Sequence, residues 1–281
     1  MRRAALLAGR WYPGDERSCL EAIERHADGA PRLPAGARGL VGPHAGWAYS
    51  GRCAARTYAA LAEHRADVEL VVVFGSHRGP HDPCTVFRGE AWETPIGALD
   101  TDRELADACA HELALGDEPI RPRHVDNAVE LHLPFVRRFF PRARLLVIGV
   151  AASERALALG RAVGERVREA GRDAVFVGST DLTHYGPNYA FAPMGGGEAA
   201  VRWVRTENDA GFLAALLRGD SRGVLAHALE NRSACCPGAV AATLEAVRAY
   251  RRALAPALVE HTLSFDVRPD ASFVGYGGAL V

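Results

Sequence analysis

Three histidines of this 281-residue chain each follow closely after a short apolar run, and imidazole is both a common metal ligand and the usual acid or base near neutral pH. They are His44, His77 and His184, which follow the runs 39–41, 70–74 and 174–177. Short runs of Val, Leu and Phe are typical of strands buried on both faces. Because ligands bind beyond the carboxyl ends of such strands in open α/β sheets, we predict that the three rings meet at one edge of a sheet.

The segment 179–186, Ser-Thr-Asp-Leu-Thr-His-Tyr-Gly, carries the highest density of reactive side chains. Asp181 precedes His184 by three residues, so its carboxylate is close enough to orient the imidazole and to raise its basicity. A Ser or Asp that only caps a short turn would give the same residue types. We favour a functional pair, with His184 as the catalytic acid or base and Asp181 as its partner.

Aromatic side chains close to two of these histidines predict the wall of a pocket. Trp47 and Tyr49 follow shortly after His44, and Tyr185 comes directly after His184. We predict that all three aromatic rings contact a substrate.

Glu130 and His132 lie near the start of a predicted helix over 128–140. Residues two apart do not share a helical face, so at most one of these side chains points at the site. We predict that Glu130 reaches the site and substrate, and that His132 is structural or exposed.

The vicinal pair Cys235-Cys236 precedes a long predicted helix. The helix dipole favours a thiolate at this end, which suits a nucleophile or a soft metal ligand, although a pair of buried thiols fits equally well. His44 and His77 supply two imidazole ligands, and Cys235 or Asp181 completes a three-ligand site with open positions. Two imidazoles and a carboxylate are typical of non-haem iron oxygenases, whereas two imidazoles and a thiolate also suit zinc or copper.

The composition argues against several other classes of protein. All 33 basic residues are Arg, so neither a Schiff-base lysine nor the lysine of a P-loop is available. The motifs of serine hydrolases, HExxH zinc proteases and dinucleotide-binding proteins are absent from the sequence. A net charge of −1 favours neither nucleic acid nor an anionic membrane as a partner.

Two further features of the sequence bear on location. The apolar stretch at 4–8 is shorter than that of a secretory signal, and no apolar segment approaches the ~20 residues that span a bilayer. The six cysteines are scattered without an evident disulfide framework. We therefore expect a cytoplasmic protein.

Strand and helix patterns alternate along the whole chain, which predicts one α/β domain over residues 1–281. Further strands are predicted at 84–87, 143–150, 260–264 and 272–276, and an extended arm or hairpin at 89–97. Helices are predicted at 15–26, 51–64, 101–115, 128–140, 153–169, 198–206, 210–218, 221–230 and 237–254.

Seven strings of residues form a set that runs in order from one end of the chain to the other. They are Ala-Gly-Arg-Trp-Tyr-Pro at 8–13, Pro-His-Ala-Gly-Trp-Ala-Tyr-Ser-Gly at 43–51, Gly-Ser-His at 75–77, Val-Glu-Leu-His-Leu-Pro-Phe at 129–135, Ser-Thr-Asp-Leu-Thr-His-Tyr-Gly at 179–186, Ala-Cys at 234–235 and Val-Gly-Tyr at 274–276. In this set the chain resembles the MEMO family, whose microbial members are also called AmmeMemoRadiSam system protein B.

The resemblance implies a single three-layer αβα domain with a central mixed, mostly parallel sheet, similar to class III extradiol ring-cleaving dioxygenases. It implies a metal held by His44, His77 and Cys235, with Asp181 and His184 lining the same cavity. The expected metal is iron, with copper or zinc as alternatives. The family name further implies association with an AMMECR-type protein and a radical SAM protein.

This chain departs from the family pattern at two places. Cys235-Cys236 stands where the family commonly has Cys-Gly, so the ligand shifts by one residue or is joined by a second thiol. Asn127-Ala128 replaces a His-Ser pair and removes a polar group from the expected pocket edge.

The function predicted from the sequence is that of a non-haem iron oxidoreductase or dioxygenase acting on a small aromatic molecule. One alternative is a non-catalytic protein of the same fold that binds a metal or a partner. A second alternative is a zinc-dependent hydrolase, in which metal-bound water attacks a carbonyl group.

Overall fold

A computed structural model of the chain describes residues 1–33, 35–119, 125–251 and 254–281. The strands in these residues are β1 (Arg2–Arg3), β2 (Gly39–Gly42), β3 (Leu70–Arg78), β4 (Thr85–Val86), β5 (Ala91–Trp92), β6 (Leu99–Asp100), β7 (Gly116–Asp117), β8 (Arg144–Ala151), β9 (Ala174–Ser179), β10 (His184–Tyr185), β11 (Ala257–Leu263) and β12 (Phe273–Leu280).

The α-helices in the same part of the chain surround the sheet. They are α1 (Glu16–Ala27), α2 (Trp47–Ala62), α3 (Arg103–Glu112), α4 (Asn127–Glu130), α5 (Leu133–Phe139), α6 (Arg155–Glu169), α7 (Glu198–Trp203), α8 (Asp209–Leu217), α9 (Ser221–Asn231), α10 (Pro237–Arg251) and α11 (Ser264–Val267). The predicted helix over 237–254 thus begins as expected, and its residues 252–253 lie outside the described chain.

The central sheet has the strand order β10-β12-β2-β9-β3-β8-β4-β7, and β11 also pairs with β12. Strands β2, β9, β3 and β8 are parallel and form its centre. Antiparallel pairs of β12 with β2 and of β4 with β8 lie on either side. The sheet is therefore mixed around a parallel centre, in agreement with the mixed sheet that the family resemblance implies. The predicted arm at 89–97 contributes to a small separate sheet of β1, β5 and β6.

Alternate side chains of β3 pack on opposite faces of the sheet, as the twofold period of a strand requires. Val72 and Phe74 belong to one hydrophobic cluster together with residues of α6, α8, α9 and α10. Val71 and Val73 belong to a second cluster with residues of α1, α2 and α5. Helices thus cover both faces, which confirms the three-layer αβα architecture.

Glycines allow two helices of one layer to approach very closely. A Cβ atom on Gly160 or Gly164 of α6 would lie 2.2 Å or 2.3 Å from a backbone oxygen of α10, closer than such atoms can pack. The two glycines are four residues apart and share one face of the helix. Because these positions lack side chains, α10, which directly follows the two vicinal cysteines, packs closely against α6.

Several helix boundaries differ from the predicted ones for identifiable reasons. The predicted helix over 128–140 is divided into α4 and α5, because Pro134 has no amide hydrogen to continue the first helix. The predicted helices over 198–206 and 210–218 are joined by a π-helical turn, Val204–Asn208. Helix α2 begins four residues before its predicted start, at Trp47. Among the described residues, no helix is both long and apolar enough to cross a membrane.

Candidate metal centre

Three adjacent parallel strands deliver the predicted site residues to one edge of the sheet. Strand β2 ends two residues before His44, β3 contains His77 near its carboxyl end, and β9 ends two residues before Asp181. The strands β2, β9 and β3 are neighbours in this order. Side chains that are far apart in the sequence therefore meet beyond the same strand ends.

The donor atoms of two histidines and a cysteine converge at this edge. The Nε2 atom of His44 lies 3.2 Å from Nε2 of His77 and 3.3 Å from Sγ of Cys235. In a tetrahedral metal site, bonds of about 2.0 Å to nitrogen and about 2.3 Å to sulfur place two nitrogens ~3.3 Å apart and a nitrogen and a sulfur ~3.5 Å apart. The separations in the protein match these values, so the three residues fit a single metal ion.

The buried ring of His44 is fixed from behind. Its Nδ1 lies 2.7 Å from Oγ of Ser179, which leaves Nε2 as the nitrogen available to a metal. Oγ of Ser179 also lies 2.9 Å from Nε2 of His132, whose Nδ1 is 3.1 Å from the hydroxyl of Tyr58. A chain of polar contacts thus runs from the protein core to the candidate ligand His44. All four side chains in this series of contacts are buried.

The predicted role of Glu130 is wrong, whereas His132 is buried and hydrogen-bonded, the structural one of the two alternatives predicted for it. Oε1 of Glu130 accepts hydrogen bonds from the amide of Leu7 at 2.6 Å and from the hydroxyl of Tyr12 at 3.0 Å, so it anchors the N-terminal segment. His132 is the residue that supports the site.

Opposite charges stabilise each other among the candidate ligands. Burial disfavours a charged His44, but the negative charges of Asp181 and Cys235 outweigh it and raise the pKa of His44 to about 9. Burial also disfavours a Cys235 thiolate, yet its hydrogen bond with Cys236 and the charge of His44 hold the pKa of Cys235 well below its usual value. Without a metal, the arrangement favours an imidazolium and thiolate pair.

Backbone contacts hold the cysteine segment in place. The amide of Cys235 donates to the carbonyl oxygen of Asp181 at 3.1 Å, and the amide of Asp181 lies 3.3 Å from Sγ of Cys235. The amide of Cys236 donates to Oγ1 of Thr180 at 3.0 Å. Helix α10 begins at the next residue, Pro237, where the missing amide hydrogen is not needed.

A cavity of about 650 Å³ opens beside the candidate ligands. One wall contains the four predicted residues His44, His77, Asp181 and His184. The predicted residue Tyr49 also lines the cavity, together with three aromatic residues that the sequence analysis did not select: Trp11, Tyr189 and Tyr276. Trp11 lies in one of the family strings, at 8–13, which is the signal that could have identified it.

Two predicted substrate contacts lie outside this cavity. The ring of Trp47 is buried against the ring of Phe135, with the two ring centroids 4.3 Å apart, and its Nε1 donates to the carbonyl oxygen of Leu131. The ring of Tyr185 is buried against Phe273, and its hydroxyl donates to the carbonyl of Gly195. Both are core residues because their segments belong to helix α2 and strand β10 rather than to open loops.

The predicted pairing of Asp181 with His184 is also wrong. Nδ1 of His184 lies 3.1 Å from the carbonyl oxygen of Leu182, so a main-chain atom orients the ring. Asp181 instead accepts the amide hydrogen of His44 at 2.7 Å. Burial raises the pKa of Asp181, and the charges of His44 and His184 oppose that rise. Asp181 therefore holds the main chain of a candidate ligand.

The replacement at Asn127 leaves the pocket edge polar. Asn127 lines the cavity, and its side-chain amide nitrogen lies 3.4 Å from the carbonyl oxygen of His44. Asn127 thus keeps one polar group at this edge, whereas Ala128 carries none.

A family model described as "Memo-like protein" matches residues 3–280 of the chain. The chain belongs to the Memo-like family. It is 33% identical to a MEMO1 family protein of Methanosarcina acetivorans over 287 residues, with 100% of this chain and 99% of that protein covered. It is 30% identical to a MEMO1 family protein of Thermococcus onnurineus over 294 residues, again with 100% and 99% covered.

A solved structure, that of an uncharacterized protein from Escherichia coli K12, is also similar to this Memo-like chain. The TM-score is 0.44 at 13% sequence identity, over 85% of this chain and 98% of the other. The family membership confirms the resemblance seen in the seven strings. What this Memo-like protein can do chemically depends on its own side chains, above all on the histidines and cysteines that converge at the sheet edge.

Proposed function

We propose that this Memo-like protein is a mononuclear metal-dependent oxidoreductase that acts on a small aromatic molecule. The observation that carries the proposal is the convergence of His44, His77 and Cys235, at donor separations of 3.2 Å and 3.3 Å, beside a cavity of about 650 Å³. Cavities of this size hold small molecules. The donor atoms lie where a bound molecule could reach the ion.

Iron is the proposed metal. Imidazole and thiolate ligands suit iron, copper and zinc, whereas magnesium and calcium prefer oxygen ligands. When bound, iron supplies electron transfer between an aromatic substrate and dioxygen. His44, His77 and Cys235 would hold the ion, and because His44 and His77 line the cavity, a bound molecule would reach the ion from that side.

The cavity walls fit a flat ring. Trp11, Tyr49 and Tyr189 present aromatic side chains to the cavity, and such rings hold an aromatic substrate by stacked or edge-to-face contacts. Tyr189 already makes an edge-to-face contact with His184, at a centroid distance of 4.9 Å. A substrate ring that stacks on these residues lies close to His184.

His184 is the proposed acid or base. A carbonyl oxygen can only accept a hydrogen bond, so the contact with Leu182 places the proton of the neutral ring on Nδ1. Nε2 is then free to take a proton from a substrate hydroxyl group. Asp181 contributes by holding the main chain at His44 and by its negative charge at the site.

Metal analysis and oxygen uptake test the proposal. Protein purified without oxygen should contain about one iron per chain, the number expected of a mononuclear site. Iron-loaded protein should consume oxygen above the buffer rate with at least one member of a catechol panel. A flat response from iron-loaded protein across the panel contradicts the oxidoreductase proposal and favours a metal-binding protein without turnover.

A zinc-dependent hydrolase is the second candidate, because the donor separations also fit a tetrahedral zinc ion with water as the fourth ligand. Zinc as the sole metal in anaerobically purified protein would favour this candidate over the first.

A further inference from the structure

A second sulfur lies next to the candidate metal ligands. Sγ of Cys236 is 3.7 Å from Sγ of Cys235, although neighbouring side chains of an extended chain point in opposite directions. The turn that precedes helix α10 directs both sulfurs to the same side. The Cys236 side chain is buried, and its Sγ lies within 4.8 Å of each of the other three donor atoms, those of His44, His77 and Cys235.

We propose that Cys236 is a fourth ligand, so that two imidazoles and two thiolates hold the ion. This inference rests on the metal site of the proposed function and adds a residue to it. Two sulfurs bonded at about 2.3 Å to one tetrahedral ion lie ~3.8 Å apart, and the separation in the protein is 3.7 Å. The sulfurs of Cys235 and Cys236 therefore already have the spacing of a dithiolate site.

Only a small movement brings Cys236 onto the ion. The four donor atoms lie within 4.8 Å of one another, and a nitrogen and a sulfur of a tetrahedral site lie ~3.5 Å apart, so Sγ of Cys236 has to move by no more than about 1.3 Å. Rotation of the side chain supplies this shift while the backbone stays fixed by the hydrogen bond from the Cys236 amide to Thr180. The sulfur gives up a contact of 3.5 Å with the carbonyl oxygen of Ser76, and thiols are weak donors.

The position of the two cysteines favours negative charge on sulfur. Both directly precede α10, a helix of 15 residues whose dipole favours negative charge at its N-terminus. Neither Cys235 nor Cys236 lines the cavity, whereas His44 and His77 do. The fourth ligand thus joins from the protein interior, and a substrate that reached the ion from the cavity side would raise its coordination number from four to five.

Cobalt spectroscopy of the full chain tests the inference. Cobalt(II) bound to thiolate shows a sulfur-to-metal charge-transfer band, and two thiolates should give about twice the intensity of one. We expect Cys236→Ala and Cys236→Ser each to retain cobalt with about half of the wild-type band. Cobalt affinity should fall by at least about tenfold. Loss of a group that only supports a metal ligand already lowers metal affinity by about this factor, and loss of a ligand should lower it at least as much.

Cys84→Ala is the matched control, because Cys84 is a partly buried thiol that lines a different pocket, outside the candidate site. Its band and affinity should equal those of the wild type. Circular dichroism of each variant checks that the fold is retained.

Two results would overturn the inference in distinguishable ways. If Cys236→Ala and Cys236→Ser keep the full band and affinity while Cys235→Ala abolishes the band, the site has one thiolate and the proposed function stands. If the wild-type protein binds no cobalt through sulfur, both the fourth ligand and the proposed metal site are wrong.

Discussion

Oγ of Ser179 lies 2.7 Å from Nδ1 of His44, on the opposite side of the ring from the other donor atoms. A metal on Nε2 requires the proton on Nδ1, and Ser179 accepts that proton in a hydrogen bond. We predict that Ser179→Ala lowers metal affinity by about tenfold to a hundredfold, because the ring loses the group that fixes its orientation. Titration of the metal-free protein with iron or cobalt measures the change.

Ser153→Ala is the control for this prediction. Oγ of Ser153 is buried and has no hydrogen-bond partner within the described chain, so its removal should leave metal affinity unchanged. Equal affinities for Ser179→Ala and the wild type would show that Ser179 does not orient the ligand.

The two candidate histidine ligands differ in burial, and this difference separates metal binding from stability. His77 is exposed, so His77→Ala should abolish tight metal binding and change the free energy of unfolding of the metal-free protein by less than about 0.5 kcal/mol. His44 is buried and hydrogen-bonded, so His44→Ala should lower the free energy of unfolding of the metal-free protein by ~1–3 kcal/mol more than His77→Ala does. Metal analysis and denaturant unfolding of each variant measure both effects, and retention of metal by either variant counts against the site.

His184 should affect turnover without affecting metal content. We predict that His184→Gln keeps the metal occupancy of the wild type and lowers kcat by about a hundredfold or more, because the acid or base is lost. His64→Gln is the matched control, since His64 is exposed and its ring lies against the carbonyl oxygen of Leu33, away from the site. A His184→Gln enzyme with an unchanged kcat would remove His184 from the reaction.

The convergence of the histidines was predictable because it depends on strand direction alone. Strands β2, β3 and β9 each contain a short apolar run, and the ends of adjacent parallel strands meet at one edge. The choice of Cys235 over Asp181 as third ligand came from the family resemblance. Residue types and spacing had left both ligands open.

The predictions from sequence that failed concern side chains whose direction is set by tertiary contacts. Trp47 and Trp11 illustrate this, because the amide of Trp47 donates to the carbonyl oxygen of Trp11 and helix α2 begins at that point. The helix turns Trp47 into the core and leaves Trp11 at the cavity. No local property of the sequence distinguishes two tryptophans in this way.

These two tryptophans give opposite predictions. Trp47→Ala should lower the free energy of unfolding by about 3–5 kcal/mol, since its ring is buried against Phe135. Trp11→Ala should leave stability nearly unchanged and raise the KM for an aromatic substrate by roughly threefold to tenfold, the effect of losing one ring contact. Thermal unfolding and steady-state kinetics compare the two variants. A large loss of stability from Trp11→Ala would contradict this assignment.

His132 makes the stability of the metal-free protein depend on pH. Burial, with the neighbouring charge of His44, lowers the pKa of His132 from an ordinary value of 6.5 to about 3. Below pH 6.5 the unfolded chain takes up a proton that the folded protein refuses. The free energy of unfolding should therefore fall as the pH decreases from 6.5 towards 3, by up to about 1.4 kcal/mol per pH unit from this group.

His132→Gln isolates this contribution, because the amide side chain does not titrate and can still hydrogen-bond Ser179 or Tyr58. Denaturant unfolding of both metal-free proteins across the same pH range should give a shallower dependence for the variant, although it is less stable near neutral pH. Other titrating groups contribute equally to both proteins, so the difference between the two slopes reports His132. Parallel curves for wild type and His132→Gln would mean that the His132 ring takes up protons in the folded state as readily as in the unfolded chain, and that it is not sealed beneath the site.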